Sequence, residues 1–173
     1  MPIDIEIDTP WVQGWRPEFV GTLLFLLNAN NVLFIHKKTG HGAGKINGPG
    51  GKLQDETVAE CAIRETREET GLTVFDPICL AELRFVEEDG PQWLGYALTA
   101  TRWTGELTET REAKPFWCPV DEIPYTDMWL DDAIWLPSVL AGATSMVGDF
   151  LFNAGELIAH QWRPLVGYRY AID

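Results

Sequence analysis

Apolar side chains are concentrated in two closely spaced segments near the start of the chain. Residues 19–27 and 32–37 are rich in Phe, Val, Leu and Ile, and the turn-forming sequence Asn-Ala-Asn-Asn separates them at residues 28–31. Short segments of this kind joined by a few polar residues are typical of paired β-strands. We therefore predict two neighbouring strands here, followed by a glycine-rich loop over residues 39–52.

Residues 57–70 follow a helical period instead. Apolar or small side chains keep a spacing of three and four residues at Val58, Ala59, Ala62, Ile63, Thr66 and Thr70. Gly71 follows directly, and glycine is a common helix stop because it readily adopts a left-handed conformation. The pattern predicts a helix that ends at Gly71.

Strand patterns return in the second half of the chain. We predict strands at residues 73–87, 92–102, 114–119, 147–152 and 156–163. A short helix is expected near Asp121, and Asp131 or Asp132 is expected to cap a second helix that runs to about Leu140. Strands outnumber helices, and the helices fall between groups of strands, which favours an α/β or α+β sandwich. The 173 residues are expected to form one domain, with residues 1–14 and 165–173 as appended ends.

The composition is that of an ordinary globular protein, with 46% hydrophobic residues. The apolar run at residues 23–27 is too short to span a bilayer, and the N-terminus lacks the features of a signal peptide. The three cysteines are scattered and fit no disulfide framework or zinc spacing. We expect a cytoplasmic protein without a membrane partner.

The formal net charge of −13 argues against binding to a nucleic-acid polymer, since such proteins usually present a basic face. An acidic protein can still act on a small anion when a divalent cation lies between them. A very soluble or salt-adapted surface is the alternative explanation for the charge.

The sequence Arg-Glu-Thr-Arg-Glu-Glu-Thr-Gly, residues 64–71, places carboxylates densely at the end of the predicted helix. Glu65, Glu68 and Glu69 fall within an arc of about 100° at helical spacing. Like charges at this spacing, near the negative end of a helix, are unfavourable. Either Arg64 and Arg67 neutralise a solvated face, or the carboxylates hold a divalent metal ion such as Mg²⁺.

The loop just before the helix supports the second explanation. Gly48, Gly50 and Gly51 allow the backbone to approach a phosphate closely or to offer a carbonyl group to a metal ion. A glycine-rich loop leading into a carboxylate helix is a plausible site for a phosphate bridged by metal.

The spacing of these residues resembles the Nudix box, G-x5-E-x7-R-E-U-x-E-E-x-G-U, where U is a bulky aliphatic residue. Gly50 and Glu56 begin the match and residues 64–72 complete it, with one departure at Thr66, where an aliphatic residue is usual. Thr66 faces the core in the predicted helix, so we expect the departure to affect packing more than chemistry. The resemblance to MutT-like Nudix hydrolases implies an α/β/α sandwich with a mixed sheet and hydrolysis of a nucleoside diphosphate derivative with Mg²⁺, or Mn²⁺ as an alternative ion.

Roles follow from this resemblance by position. It implies that Glu65, Glu68 and Glu69 are metal ligands or the general base, and that Gly50 offers a backbone carbonyl to the metal. It implies that Arg64 orients the glutamates, whereas Glu56 ties the loop to the helix. Water then attacks phosphorus, with a carboxylate in reach of that water as the base.

A wider resemblance, from about residue 22 to residue 162, is to the animal-type 8-oxo-dGTP diphosphatases of this family. It rests on the loop sequence GAGKINGPGGK and on MWLDD at residues 128–132. By that resemblance Trp129 stacks on a purine, Asp131 and Asp132 read its edge, and Asn47 holds the other side. The remaining implied contacts are Thr22 and Lys37 near the base or sugar, Gly50, Gly51 and Lys52 at the loop, and Glu112 as a further glutamate on the metal side.

The chemistry of these assignments is consistent with a purine. Guanine N–H donors suit a carboxylate, and two adjacent buried aspartates would share a proton that can be donated to O6. Taken singly, Asp131 or Asp132 can be an N-cap, Trp129 a core residue, and Lys37 part of an ordinary strand end. His41 and Leu130 depart from the aromatic and proline residues usual in this group, which leaves the base preference open.

We therefore expect a monomeric enzyme that acts on a small nucleotide, converting an oxidised purine nucleoside triphosphate to the monophosphate and pyrophosphate. Other Nudix substrates are an alternative, namely nucleoside triphosphates in general, diadenosine polyphosphates or ADP-ribose. An inactive Nudix fold used for binding is disfavoured, because the chain keeps Glu65, Glu68 and Glu69.

Overall fold

A computed structural model describes residues 3–4, 15–143 and 145–164 of the chain. Within these residues one ten-stranded mixed sheet dominates, and eight of its strands lie in the order β1-β12-β11-β7-β8-β2-β3-β10. The strands are β1 (Ile3–Asp4), β2 (Phe19–Asn28), β3 (Asn31–Lys37), β4 (Ile46–Asn47), β5 (Gly50–Lys52), β6 (Thr73–Phe75), β7 (Ile78–Glu87), β8 (Trp93–Ala100), β9 (Arg102–Thr104), β10 (Ala113–Pro119), β11 (Met146–Asn153) and β12 (Glu156–Pro164). Strand β4 pairs with β3 and β5 with β2, while β6 and β9 form a separate two-stranded sheet.

Two helices, α1 (Val58–Thr70) and α2 (Asp132–Leu140), pack against separate apolar clusters of the sheet. Ala62 of α1 packs in the cluster that contains Leu24 and Leu98. Trp135 of α2 packs in the other cluster. Its ring centroid lies 5.7 Å from that of Phe25, in an edge-on arrangement. Successive strand residues face opposite sides of a sheet. The predicted sandwich with a mixed sheet is therefore confirmed.

Local sequence signals set the limits of α1. The Thr57 side chain accepts a hydrogen bond from the Glu60 backbone, and the Glu60 carboxylate accepts one from the Thr57 backbone, which is a reciprocal capping box. Gly71 ends the helix in the left-handed conformation, with φ of 79°. Thr66 is completely buried, as predicted for a residue that faces the core.

The predictions for the loop and for one strand are corrected by the structure. The predicted strand over residues 73–87 is broken because Asp76 adopts a positive φ of 50° and Pro77 follows it. Its first part pairs with β9, which lies beyond the end of β8 at Ala100. The glycine-rich loop over residues 39–52 contains strands β4 and β5. The short helix near Asp121 is a 3₁₀ turn at Val120–Glu122, and a second one lies at Tyr125–Asp127.

The chain ends are described only in part. Strand β1 pairs in parallel with β12, with Ile3 opposite Ala159. The other residues of the predicted appended ends, 1–14 and 165–173, lie outside the described residues, and that prediction stays open. No helix in the described ranges is long and apolar enough to cross a membrane.

Candidate active site

The glycine strand β5 and helix α1 meet along a very close contact. The Gly50 backbone N–H donates to Glu69 Oε1, with N and O 3.0 Å apart. A Cβ atom added to Gly50 would lie 1.8 Å from the backbone oxygen of Thr22, and one added to Gly51 would lie 2.3 Å from Glu65 Cδ. Only glycine fits at Gly50, where the obstructing atom belongs to the backbone, whereas a side chain at Gly51 would displace the Glu65 carboxylate.

Arg64 joins three carboxylates and the loop. Its Nη2 and Nε atoms donate to Glu56 at 2.6 and 2.9 Å, and its Nη1 donates to Glu65 Oε1 at 2.6 Å. It also contacts Glu68 Oε2 at 3.4 Å and the backbone oxygen of Lys52 at 3.2 Å. The planar guanidinium group can hold several acceptors at once. It therefore fixes the start of the helix, the loop and Glu65 relative to one another.

The glutamates of α1 differ in their surroundings. Glu69 is completely buried, and its Oε2 has no hydrogen-bond partner although Lys37 Nζ lies 3.7 Å away. Burial raises the pKa of Glu69 to about 7, and the nearby charges of Glu65 and Glu112 act in the same direction. Burial also raises the pKa of Glu65. Glu68 is exposed, with 55% of its side chain accessible.

The burial of Glu69 favours a bound divalent cation, rather than solvent-exposed ion pairs, as the explanation for this group of carboxylates. A buried carboxylate oxygen without a partner is costly, and carboxylate oxygens are the ligands that Mg²⁺ takes in proteins. No three acidic, histidine or cysteine side chains of the described residues are close enough to form a complete metal site. The predicted ligands Glu65, Glu68, Glu69 and Glu112 therefore do not form a closed coordination shell in the structure. Arg64 accounts for part of this, since it holds Glu65 and Glu68 as ion-pair partners.

A cavity of about 630 Å³ borders the glycine strand. All of the predicted substrate-binding residues line it: Thr22, Lys37, Asn47, Gly50, Gly51, Lys52, Trp129, Asp131 and Asp132. A volume of this size is typical of sites for small molecules and cofactors. The structure thus brings the predicted loop, strand and MWLDD residues to one space, with Glu65 and Glu69 against its glycine wall.

Asp131 and Asp132 lie side by side at this cavity, and each is only 2% exposed. Asp131 Oδ2 accepts from Trp135 Nε1 at 2.7 Å, and Asp132 Oδ2 accepts from the Trp129 backbone at 3.0 Å. Burial raises the pKa of Asp131 to about 6, and burial followed by the charge of Asp131 raises that of Asp132. Asp131 stands at the N-cap position of α2, but its side chain makes no capping hydrogen bond. A capping role therefore does not explain its burial.

Aromatic residues that the sequence did not single out complete the cavity. Trp93, Phe85 and Phe152 line it, together with the acidic Glu87 and Asp89. Trp93 starts β8 and also lies under Lys52, whose Nζ is 5.5 Å from its ring centroid. The strand pattern places these residues on strands, but it does not say which face borders a cavity. A search for aromatic residues at strand ends would have found Trp93.

Comparison with known proteins gives consistent matches. Residues 17–139 match the model of the NUDIX domain. The chain is 36% identical over 139 residues to the oxidized purine nucleoside triphosphate hydrolase of Danio rerio. It is 38% identical over 139 residues to the protein of the same name from Mus musculus. Each match covers 79% of this chain and 88% of the relative. A solved structure of a MutT protein from Bacillus halodurans has a TM-score of 0.73 at 27% identity, covering 83% of this chain and 97% of that one.

Proposed function

The chain belongs to the NUDIX family, and we propose that it hydrolyses oxidised purine nucleoside triphosphates, such as 8-oxo-dGTP, to the monophosphate and pyrophosphate. The relatives from zebrafish and mouse carry the name of this activity and match most of the chain. Such a reaction would remove damaged nucleotides before a polymerase uses them.

The observation that carries the proposal is the buried pair Asp131 and Asp132 at the cavity that the glycine strand borders. One ionised aspartate accepts the N–H groups of a guanine edge, and one protonated aspartate donates to O6. Two adjacent carboxyl groups in a buried site hold one proton between them because two neighbouring negative charges repel. The raised pKa of Asp131, about 6, supports this sharing. Such a pair suits purines whose edges differ in donors and acceptors.

The other end of the cavity suits the phosphates. Lys37 and Lys52 line it and bring positive charge to a strongly acidic protein. Gly50 and Gly51 line the cavity as well and carry no side chain of their own. This arrangement favours an anion that is bound through both cationic side chains and the backbone.

A divalent cation fits the glutamate side of the glycine strand. Glu65, Glu69 and the Gly50 carbonyl would hold it, and we propose Mg²⁺ with Mn²⁺ as an alternative. Glu68 and Glu112 are the further oxygen donors that the resemblance implies. Such an ion polarises phosphoryl oxygens and lowers the pKa of a bound water. The observation that supports this choice is the buried Glu69 Oε2, which has no hydrogen-bond partner and only the charge of Lys37 at 3.7 Å.

The chain's own residues supply positioning and proton transfer. Arg64 keeps Glu65 against Gly51 and so fixes the carboxylate relative to the phosphates. The Gly50 backbone holds one oxygen of Glu69, which leaves its second oxygen available. One of the glutamates of α1 accepts a proton from the attacking water, within hydrogen-bond reach of it.

Analysis of the products tests the reaction. The protein is incubated with 8-oxo-dGTP with and without Mg²⁺, and nucleotides, pyrophosphate and phosphate are quantified separately. We expect equal amounts of monophosphate and pyrophosphate, and no turnover after chelation. Release of phosphate with the diphosphate as the nucleotide product would contradict the proposal. So would the absence of turnover with Mg²⁺.

A further inference from the structure

The imidazole ring of His41 stacks on two tryptophans of the cavity at once. Its centroid lies 5.1 Å from the Trp129 ring at an interplanar angle of 18°, and 5.3 Å from the Trp93 ring at 22°. All three residues line the cavity. Both distances and both angles are those of offset stacking, which is the favourable arrangement for aromatic pairs. The imidazole therefore covers part of the ring surface of both indoles.

The segment that carries His41 is a local turn. Gly40, Gly42 and Gly44 have φ values of 73°, 82° and 88°, which only glycine adopts easily. Its internal hydrogen bonds are short-range, from Ala43 to Gly40 and from Lys45 to Gly42. Among the described residues no hydrogen bond or ion pair of the His41 side chain is found, so stacking is its main attachment to the cavity.

The turn lies directly on Trp129. A Cβ atom added to Gly42 would be 3.4 Å from the indole, and Lys45 Nζ lies 4.9 Å from the ring centroid. Burial, and then the charges of Lys37 and Lys52, lower the pKa of His41. The lowered pKa favours the neutral imidazole, which lacks the cation–π attraction that a charged ring would have for indole.

We propose that His41 is a displaceable cover of the base site, and that a purine enters by replacing the imidazole on Trp93 and Trp129. This inference rests on the proposed function, because it takes the ligand to be a purine nucleotide. A purine offers two fused rings where imidazole offers one, so the exchange increases the stacked area. Trp93 thereby becomes a residue that contacts the base together with Trp129, whereas His41 opposes binding.

Nucleotide binding without turnover tests the exchange. The Kd of 8-oxo-dGMP is measured by calorimetry for the wild type, for His41→Ala and for His36→Ala. His36 is the matched control because it is a histidine that also stacks on an aromatic ring, Phe116 at 4.8 Å, but it does not line the cavity. Deoxyribose 5-phosphate, which has no base, is titrated in parallel.

The proposal predicts that His41→Ala lowers the Kd of 8-oxo-dGMP by about 2- to 10-fold, the range expected for an aromatic stacking contact. His36→Ala should leave it unchanged, and Trp93→Leu should raise it. His41→Ala should leave the Kd of deoxyribose 5-phosphate unchanged. Because His41 is exposed, its replacement is not expected to prevent folding, and an unchanged Tm verifies this.

Two other results would overturn the inference while leaving the proposed function intact. An unchanged Kd in His41→Ala would mean that the imidazole does not compete with the base, and a raised Kd would mean that it is part of the binding surface. If neither the wild type nor any variant binds a purine monophosphate although the fold is intact, both the proposed function and this inference fail.

Discussion

The Glu69 carboxylate accepts a hydrogen bond from the Gly50 backbone N–H, with the two atoms 3.0 Å apart. This bond attaches the carboxylate helix to the glycine strand that forms a wall of the cavity. Because the second oxygen of Glu69 has no hydrogen-bond partner, the contact orients the carboxylate without saturating it. The Gly50 contact thus orients a carboxylate that we propose as a metal ligand, relative to the strand that borders the cavity.

Replacement of the helix glutamates should abolish turnover without unfolding the protein. Glu69→Gln and Glu68→Gln remove a charge while keeping the shape of the side chain, and we expect kcat to fall by about 10²- to 10⁴-fold. Steady-state kinetics with saturating Mg²⁺ measure this, with Tm as the check on folding. Glu60→Gln on the same helix is the control, because glutamine also serves in a capping box. A loss below threefold in both variants would mean that turnover does not depend on these carboxylates.

Gly51→Ala should lower kcat through Glu65. The added methyl group would lie 2.3 Å from Glu65 Cδ, so the carboxylate must move away from its place beside Arg64. Overpacking of this kind costs about 1–3 kcal/mol of stability, and we expect activity to fall further than Tm alone explains. Gly142→Ala is the control for a glycine change away from the cavity. Gly142 has a φ of 91°, so alanine there should lower Tm through backbone strain, but kcat should stay at the wild-type value. Wild-type kcat in Gly51→Ala would show that the position of Glu65 is not critical.

Asp131→Asn should make stability less dependent on pH. The pKa of Asp131 is about 6 in the folded protein, against about 3.9 in an unfolded chain, so the folded state binds more protons between these values. The stability from this proton is fully present below about pH 4 and is lost as the pH rises through 6. Only one pKa unit separates pH 5 from the folded pKa, so at about 1.4 kcal/mol per unit the difference in unfolding free energy between pH 5 and pH 8 should shrink by about 1–1.5 kcal/mol in the variant.

Urea unfolding of the wild type and of Asp131→Asn at both pH values measures this difference. Asparagine keeps an oxygen that can accept from Trp135 Nε1, so packing should be preserved. The exposed Asp127→Asn serves as the control for loss of a carboxylate. Identical pH dependence in wild type and Asp131→Asn would show that Asp131 is ionised in the folded protein throughout this range.

Trp129→Leu should weaken recognition of the base. Stacking of a base on an aromatic side chain is worth about 1–3 kcal/mol, so we expect kcat/KM for 8-oxo-dGTP to fall by about 5- to 150-fold, chiefly through KM. Trp103→Leu is the matched control, because Trp103 pairs with Trp117 at 5.4 Å and does not line the cavity. An unchanged KM in Trp129→Leu would remove Trp129 from the base site.

Much of the fold and of the site follows from short-range signals in the sequence. Thr57, Glu60 and Gly71 define the ends of α1 locally, which is why the helix was predicted to within one residue. The break at Asp76 was missed, because a single residue with positive φ leaves no mark in a pattern of apolar side chains. The sequence did not predict that Trp93 lines the cavity and contacts His41. That arrangement depends on the pairing of β8 with β2, two strands that are far apart in the sequence.

The most direct test of the proposed function is kcat/KM with Mg²⁺ for 8-oxo-dGTP against dGTP, dATP and ADP-ribose. Recognition of the purine edge by Asp131 and Asp132 predicts a clear preference for 8-oxo-dGTP, and the preference should be lost in Asp131→Asn. Equal values for all triphosphates, or activity on ADP-ribose alone, would contradict the account of the base site.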